Sequence, residues 1–338
     1  MSPVAIFMLL IGIGQSLVNP SPATEAEFIR RPPLEVKAVY VTSSTTRGSR
    51  MEQIIDLVNS TEVNAVVINV KEPSGEKFWP GLSDLITSLK NQGIWTIARV
   101  VVFQSNDLPP REPRLALKYS GGSLWRDRAG GYWLDPAAKE VWEYNANLAK
   151  RTLDLGFDEI NLDYIRFPTD GDVDSIIYPA WDKKTSKERV ITDFAHYIVT
   201  AIKNYRPHAV VSADIYAFTL VQDWDLDMGQ RARLLAQEFD VLSPMIYPSH
   251  YRSGNFGLTN PAEYPSKVAK ATLDLGRAIL GDAPALVRPW FQDFNLGANY
   301  TPALVRQQIE ALADAGYRNG WMLWNPSNVY TSEALNKE

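Results

Sequence analysis

The chain has 338 residues, 45% hydrophobic and 22% charged, with a formal net charge of −5. That is the balance of a water-soluble globular protein, and its sign is wrong for following a nucleic-acid backbone. Cysteine is absent and only His196, His208 and His250 occur, which excludes disulfides, thiolate metal sites, a cysteine nucleophile and a His-rich zinc site, so no cofactor is expected.

The chain opens with an uncharged apolar run at 4–13, followed by Asn19-Pro20-Ser21-Pro22-Ala23. The run is too short to span a bilayer and has the length of a signal-peptide core, although no Lys or Arg precedes it. Residues 1–23 are therefore expected to be a signal peptide or N-terminal anchor, 24–35 a linker, and 36–335 the folded domain of an exported, monomeric protein with no further membrane segment.

From Val36 onward, β-rich apolar runs at 36–41, 65–70, 95–101, 159–163, 210–214, 241–245, 285–290 and 320–324 alternate with amphipathic stretches at 51–59, 82–92, 137–155, 187–205, 264–280 and 302–315. Gly93, Gly156 and Gly316 each stand between a helix and the next strand, the place of a C-cap glycine. Eight strands in such alternation predict the α/β class and a (β/α)₈ TIM barrel, a single domain with long βα loops. An open doubly wound sheet is the competing topology, but no glycine-rich dinucleotide fingerprint follows any strand. His196 falls in a predicted helix and His208 just before a strand, both as structural or surface residues.

Three connections exceed what a barrel needs: 104–136, 164–185 and 248–263. All follow strands, so they rise from the C-terminal face, where barrels build their sites. Polar residues gather at the same strand ends: Asn69, Lys71 and Glu72; Arg99 and Gln104; Asp163, Tyr164 and Arg166; Asp214 and Tyr216; Tyr247; Trp290, Gln292 and Asp293; Trp324 and Asn325. Alternation along 159–163 puts Glu159, Asn161 and Asp163 on one face. Asp163 thus points into the barrel mouth, and the deeper Glu159 is expected to be buried and paired. An ion pair of Asp163 with Arg99 or Arg166 that merely fixes a loop is the competing reading.

Glycosidic bond cleavage needs two carboxyl groups roughly 5 to 9.5 Å apart. Asp163 and Asp214 end neighbouring strands and make the best catalytic pair, with Glu72 and Asp293 as further candidates. Sugar rings stack on aromatic faces, and Trp125, Trp133, Tyr164, Tyr216, Tyr247, Trp290, Trp321 and Trp324 fall in or beside the loops after strands. Trp321 and Trp324 face opposite ways, and Trp324, nearer the strand end, is expected to face ligand.

Several motifs, in order, carry a resemblance over about 36–334: Val36-Lys37-Ala38-Val39-Tyr40-Val41-Thr42, Asn69-Val70-Lys71-Glu72, Asp163-Tyr164-Ile165-Arg166-Phe167-Pro168, Ser243-Pro244-Met245-Ile246-Tyr247-Pro248, Arg288-Pro289-Trp290-Phe291-Gln292-Asp293-Phe294 and Gly320-Trp321-Met322-Leu323-Trp324-Asn325-Pro326. The chain resembles the DUF4015 glycoside hydrolase family, a (β/α)₈ group related to chitinase-like and α-amylase-like barrels. The resemblance implies a carbohydrate substrate. Two features depart from it: Ile165 occupies the position of the chitinase catalytic glutamate, and Lys71-Glu72-Pro73-Ser74-Gly75 keeps one acid where the family usually has an aspartate run.

The resulting expectation is a glycosidase acting on a poly- or oligosaccharide. Asp163 is nucleophile or electrostatic stabiliser, Asp214 is proton donor, and Lys71, Arg99, Tyr164, Arg166, Tyr216, Tyr247, Trp290, Gln292, Trp324 and Asn325 bind substrate. A non-catalytic carbohydrate-binding barrel of the cell envelope is the alternative, favoured by Ile165. A metal-dependent hydrolase would need a histidine cluster at strand ends, and the sequence has none.

Overall fold

The first strand, Val36–Val41, pairs in parallel with both the second, Ala65–Glu72, and the last, Gly320–Trp324, and this double pairing closes the sheet. The protein is described by a computed structural model over residues 30–337, so the proposed leader at 1–23 and part of the linker lie outside the described residues. Between the closing strands run Trp95–Val101, Glu159–Asp163, Val210–Tyr216, Val241–Ile246 and a seventh strand in two pieces, Leu286–Val287 and Trp290–Gln292. The chain is a closed, eight-stranded parallel barrel with helices between its strands, a (β/α)₈ fold. The seventh strand breaks at Arg288-Pro289, where proline has no N–H for the ladder.

Because side chains alternate along a strand, each one sends half its residues into the barrel and half towards the helices. The outward residues join the helix faces in the main core. Helix Lys187–Tyr205 contributes Val190, Ile191, Phe194, Ala195, Ile198 and Ile202 at three- and four-residue spacing, and Ser186 caps its start by accepting from the Arg189 N–H. Truncating fully buried Ile198 to Ala would cost about 2–5 kcal/mol. Gly93, Gly156 and Gly316 have φ of 81°, 99° and 80°, the left-handed exit expected of them.

The inward residues include Val36, Ala38, Ala65, Val67, Ile97 and Met322. Among them Glu159 is fully buried, as its depth in the strand implied. Arg288 donates to it, as do the Trp95 indole at 3.0 Å and the Ser212 hydroxyl at 2.6 Å.

Two local departures shape the C-terminal face. Where a regular repeat would place a helix between the fifth and sixth strands, the chain forms only Ala217–Leu220, a loop, and the one-turn helix Ala232–Leu235. The long connection after the third strand is folded by antiparallel bridges such as Ala116 with Leu134 and Arg126 with Tyr132, and Lys118 ties it to Ile177 of the next long loop.

Candidate active site

The third strand delivers Arg99 into the barrel mouth, 7% exposed. Its Nε donates to Asp163 Oδ2 at 3.1 Å, its Nη2 reaches the same oxygen, and its Nη1 donates to Asn69 Oδ1 at 2.8 Å. The same Nε stands 3.8 Å from Asp214 Oδ2. One guanidinium therefore bridges the ends of the fourth and fifth strands. Burial opposes its charge, but Asp163, Tyr40 and Asp214 outweigh that and hold it firmly protonated. Trp324 covers it, with the guanidinium carbon 5.1 Å from the ring centre, and Trp324 stacks on Tyr40 at 3.9 Å.

Asp214 is 1% exposed. Its Oδ1 accepts from the Asn161 amide at 2.9 Å and the Trp290 indole at 2.7 Å. Burial, then the negative charge of Asp163, push its carboxyl up to about 8 against the opposing pull of Arg99. Asp163 Oδ1 accepts from the N–H of Tyr164 at 2.6 Å, and Tyr164 sits at φ 54°. A left-handed tyrosine costs about 1–3 kcal/mol. It turns the chain sharply at the strand end, so that its own amide is aimed back at the carboxylate.

Arg99, Asp163, Tyr164, Asp214, Trp290 and Trp324 line a cavity of about 300 Å³ together with Arg166, Tyr216, Ala217, Phe218, Gln230, Met245, Tyr247, His250 and Tyr251. Burial raises the Tyr247 hydroxyl well above the usual phenol range, with Asp214 and Asp163 adding to the effect, and lowers His250. Both remain neutral hydrogen-bonding groups near pH 7. The cavity can hold a polar ring between aromatic walls while the carboxyls of Asp163 and Asp214 face it.

Of the residues singled out in the sequence, Asp163, Asp214, Arg99, Tyr164, Arg166, Tyr216, Tyr247, Trp290 and Trp324 meet in this cavity. Trp321 faces the helix layer and Trp324 the cavity, as expected. The ion pair of Asp163 with Arg99 forms, yet both members line the cavity rather than fixing a loop.

Glu72 does not line the cavity: its carboxylate accepts from Ser43 and Asn69 and lies 3.7 Å from Lys77 Nζ. Asp293 is also absent from it, held by the N–H and hydroxyl of Thr331 at 2.9 and 2.6 Å and raised by burial. A bulge after Asn69 turns Lys71 out of the barrel. There it donates to the carbonyls of Val101 and Val102, and burial pulls it down to about 7 against the charges of Glu76 and Asp107. Gln292 bonds Ser249 and Gln308, and Asn325 bonds the backbone of Asp293 and Val329. These residues brace the loops.

Sequence reasoning assigned no role to Gln230, Phe218 or His250. Gln230 accepts from the Tyr216 N–H at 2.8 Å and donates to the Asp214 carbonyl at 3.3 Å, but no sequence pattern marks it. Tyr40, next to last in the first strand and facing inward, stands beside Arg99. Among the described residues, no three His, Asp or Glu side chains gather as a metal site requires, and no helix is long and apolar enough to cross a membrane.

Fold and cavity together define a (β/α)₈ barrel with an acidic, aromatic-walled cleft. The chain belongs to the DUF4015 family, described as a "putative glycosyl hydrolase domain", which it matches over residues 38–330. A comparison with curated proteins gives no match. Among solved structures, the PgaB (BpsB) glycoside hydrolase domain from Bordetella bronchiseptica aligns with TM-score 0.62 and 15% identity over 90% of this chain and 99% of that one. The α-galactosidase TtGalA from Thermus thermophilus, in complex with p-nitrophenyl α-D-galactopyranoside, aligns with TM-score 0.58 and 16% identity over 90% of this chain and 61% of that one. This chain thus spans less than two thirds of the galactosidase. At such identities the likeness establishes the fold.

Proposed function

We propose that the protein is a glycosidase that cleaves an oligo- or polysaccharide, with Asp163 as nucleophile and Asp214 as proton donor. The observation that carries this reading is the pair of carboxyls facing one cavity across Arg99. Asp163 lies in the guanidinium's strongest contacts, whereas Asp214, buried and beside that charge, retains its proton near pH 7. Two acids with opposed environments are the requirement for acid and nucleophile roles.

The two Oδ2 atoms lie 3.1 and 3.8 Å from a common Nε, so they are no further apart than those distances combined. As a bound on the nearer pair of oxygens it accommodates the ~5–5.5 Å carboxyl spacing of retaining enzymes, which supports that reading. The reading is therefore a retaining mechanism. Asp214 Oδ2 gives its proton to the departing oxygen as Asp163 attacks the anomeric carbon. Asp214 then takes a proton from the water that releases the sugar. Arg99 restrains the charge of Asp163 until attack. Ile165 is fully buried and outside the cavity. The missing chitinase-type acid thus counts against a chitinase mechanism without favouring a non-catalytic barrel. An exported location belongs to the same reading and rests on the apolar run at 4–13.

Release of reducing ends from a panel of soluble polysaccharides, with the Asp163→Asn protein as control, tests it. Activity lost in the variant supports the assignment; glycan binding without cleavage by the unaltered protein would favour the binding-barrel alternative.

A further inference from the structure

The cavity does not end at the carboxyl pair. A second hollow of about 780 Å³ shares Tyr164, Arg166, Tyr216, Phe218 and His250 with it, so the two form one continuous groove opening outward over the fifth-strand loop. On the outer wall stand two aromatic rings open to solvent, Tyr216 at 38% and Trp224 at 49%. An indole half in water loses the burial that normally stabilises it.

The loop that presents Trp224 is braced rather than loose. Asp223 pairs with Arg231 at 2.9 Å, Lys187 donates to the Asp227 carbonyl at 2.7 Å, and the Phe167 N–H donates to the Met228 carbonyl at 2.8 Å. Two consecutive non-glycine residues in it, Leu226 and Asp227, adopt left-handed backbone at φ 53° and 57°. Strain of this kind, about 1–3 kcal/mol per residue, persists where the surroundings enforce it and clusters at ligand sites. The fold here spends stability to hold an indole open beside the candidate active cavity.

We propose that Trp224 is the stacking platform of an outer sugar subsite, occupied by a unit of the same glycan chain whose scissile bond lies at Asp163 and Asp214. The occupant is a carbohydrate because the hollow is continuous with the inner cavity, so the inference rests on reading that cavity as a carbohydrate site. The protein then prefers chains to single sugars. Arg166 stands at the junction of the two hollows, oriented over Trp133 and Tyr164 at 4.9 and 5.3 Å, with Nη1 engaged by the Phe167 carbonyl and the Thr169 hydroxyl. From that junction its guanidinium would meet hydroxyls of the unit between the subsites.

Isothermal titration of the Asp163→Asn protein with maltohexaose, cellohexaose, mannohexaose and chitohexaose, each against its monosaccharide, tests the platform without turnover. At least one hexaose is expected to bind ten-fold or more tighter than its monosaccharide. Adding Trp224→Ala should remove most of that gain and leave monosaccharide affinity unchanged, while Trp224→Phe should keep much of it. Equal affinity for hexaose and monosaccharide, an equal loss on both in Trp224→Ala, or no binding by any hexaose would overturn the inference. Hydrolysis by the unaltered protein is scored separately: Trp224-dependent chain binding without hydrolysis keeps the subsite and removes the glycosidase reading.

Discussion

The indole N–H of Trp290 donates to Oδ1 of Asp214 at 2.7 Å, linking the fifth and seventh strands past the sixth strand that lies between them. With the Asn161 amide on the same oxygen, this bond fixes the carboxyl plane and leaves Oδ2 as the atom that carries the proton. The bond also favours the charged form. Trp290→Phe should therefore move the alkaline limb of the activity profile above pH 8 and lower kcat. The loss of one buried hydrogen bond should cost about 1–3 kcal/mol in stability. An unmoved limb in the pH–rate profile would mean that another group donates the proton.

Asp214 also governs stability. Its folded pKa, about 8, lies above its ordinary value of 3.8. Its contribution is thus full below about pH 4 and is lost as pH rises through 8, because the folded state there binds the proton more tightly than the unfolded one. Asp214→Asn mimics the protonated carboxyl and has no such dependence. Thermal melts at pH 5 and pH 9 should show the variant gaining on the unaltered protein as pH rises. A constant difference would contradict a raised pKa.

Asp163→Asn should abolish turnover and destabilise the fold, because it leaves the buried charge of Arg99 with the more distant Asp214 as its nearest carboxylate. Breaking a buried pair costs about 3–5 kcal/mol, reduced here if Asp214 takes over as partner. With the Asp163 charge gone, the Asp214 pKa should fall well below 8, a shift that carboxyl-carbon NMR titration reads directly. A pKa still near 8 would mean that burial alone sets it.

Glu72→Gln and Asp293→Asn separate structural acids from catalytic ones. Both should keep kcat within a few-fold. Asp293→Asn should lose about 1–3 kcal/mol, because Thr331 donates to both of its oxygens and one would be replaced by an amide donor. A thousand-fold loss of kcat in either, with the fold intact, would move the proton donor there.

The barrel was legible because its signal is repeated: eight apolar runs, glycines after helices, long loops only after strands. Asp163 and Asp214 were legible because period-two alternation fixes which side of a strand faces inward. Where alternation fails, so did the reading. A bulge after Asn69 turns Lys71 to the helix side, and at or just past the strand ends Gln292, Asp293 and Asn325 turn to loop backbone and Thr331. Gln230 and Trp224 were invisible for a different reason. They lie in the stretch where a short loop replaces a helix, and their places follow from ion pairs and backbone strain that have no sequence period.

Azide rescue tests the carboxyl pair most directly. On an aryl glycoside that the unaltered protein cleaves, azide should restore turnover to Asp163→Ala and give a glycosyl azide of inverted configuration, since the anion enters the space of the missing nucleophile. Asp214→Ala should give the azide of retained configuration, because the anion then attacks a sugar already bound to Asp163. Rescue of Glu72→Ala or Asp293→Ala instead, or the same anomer from both variants, would contradict the assignment.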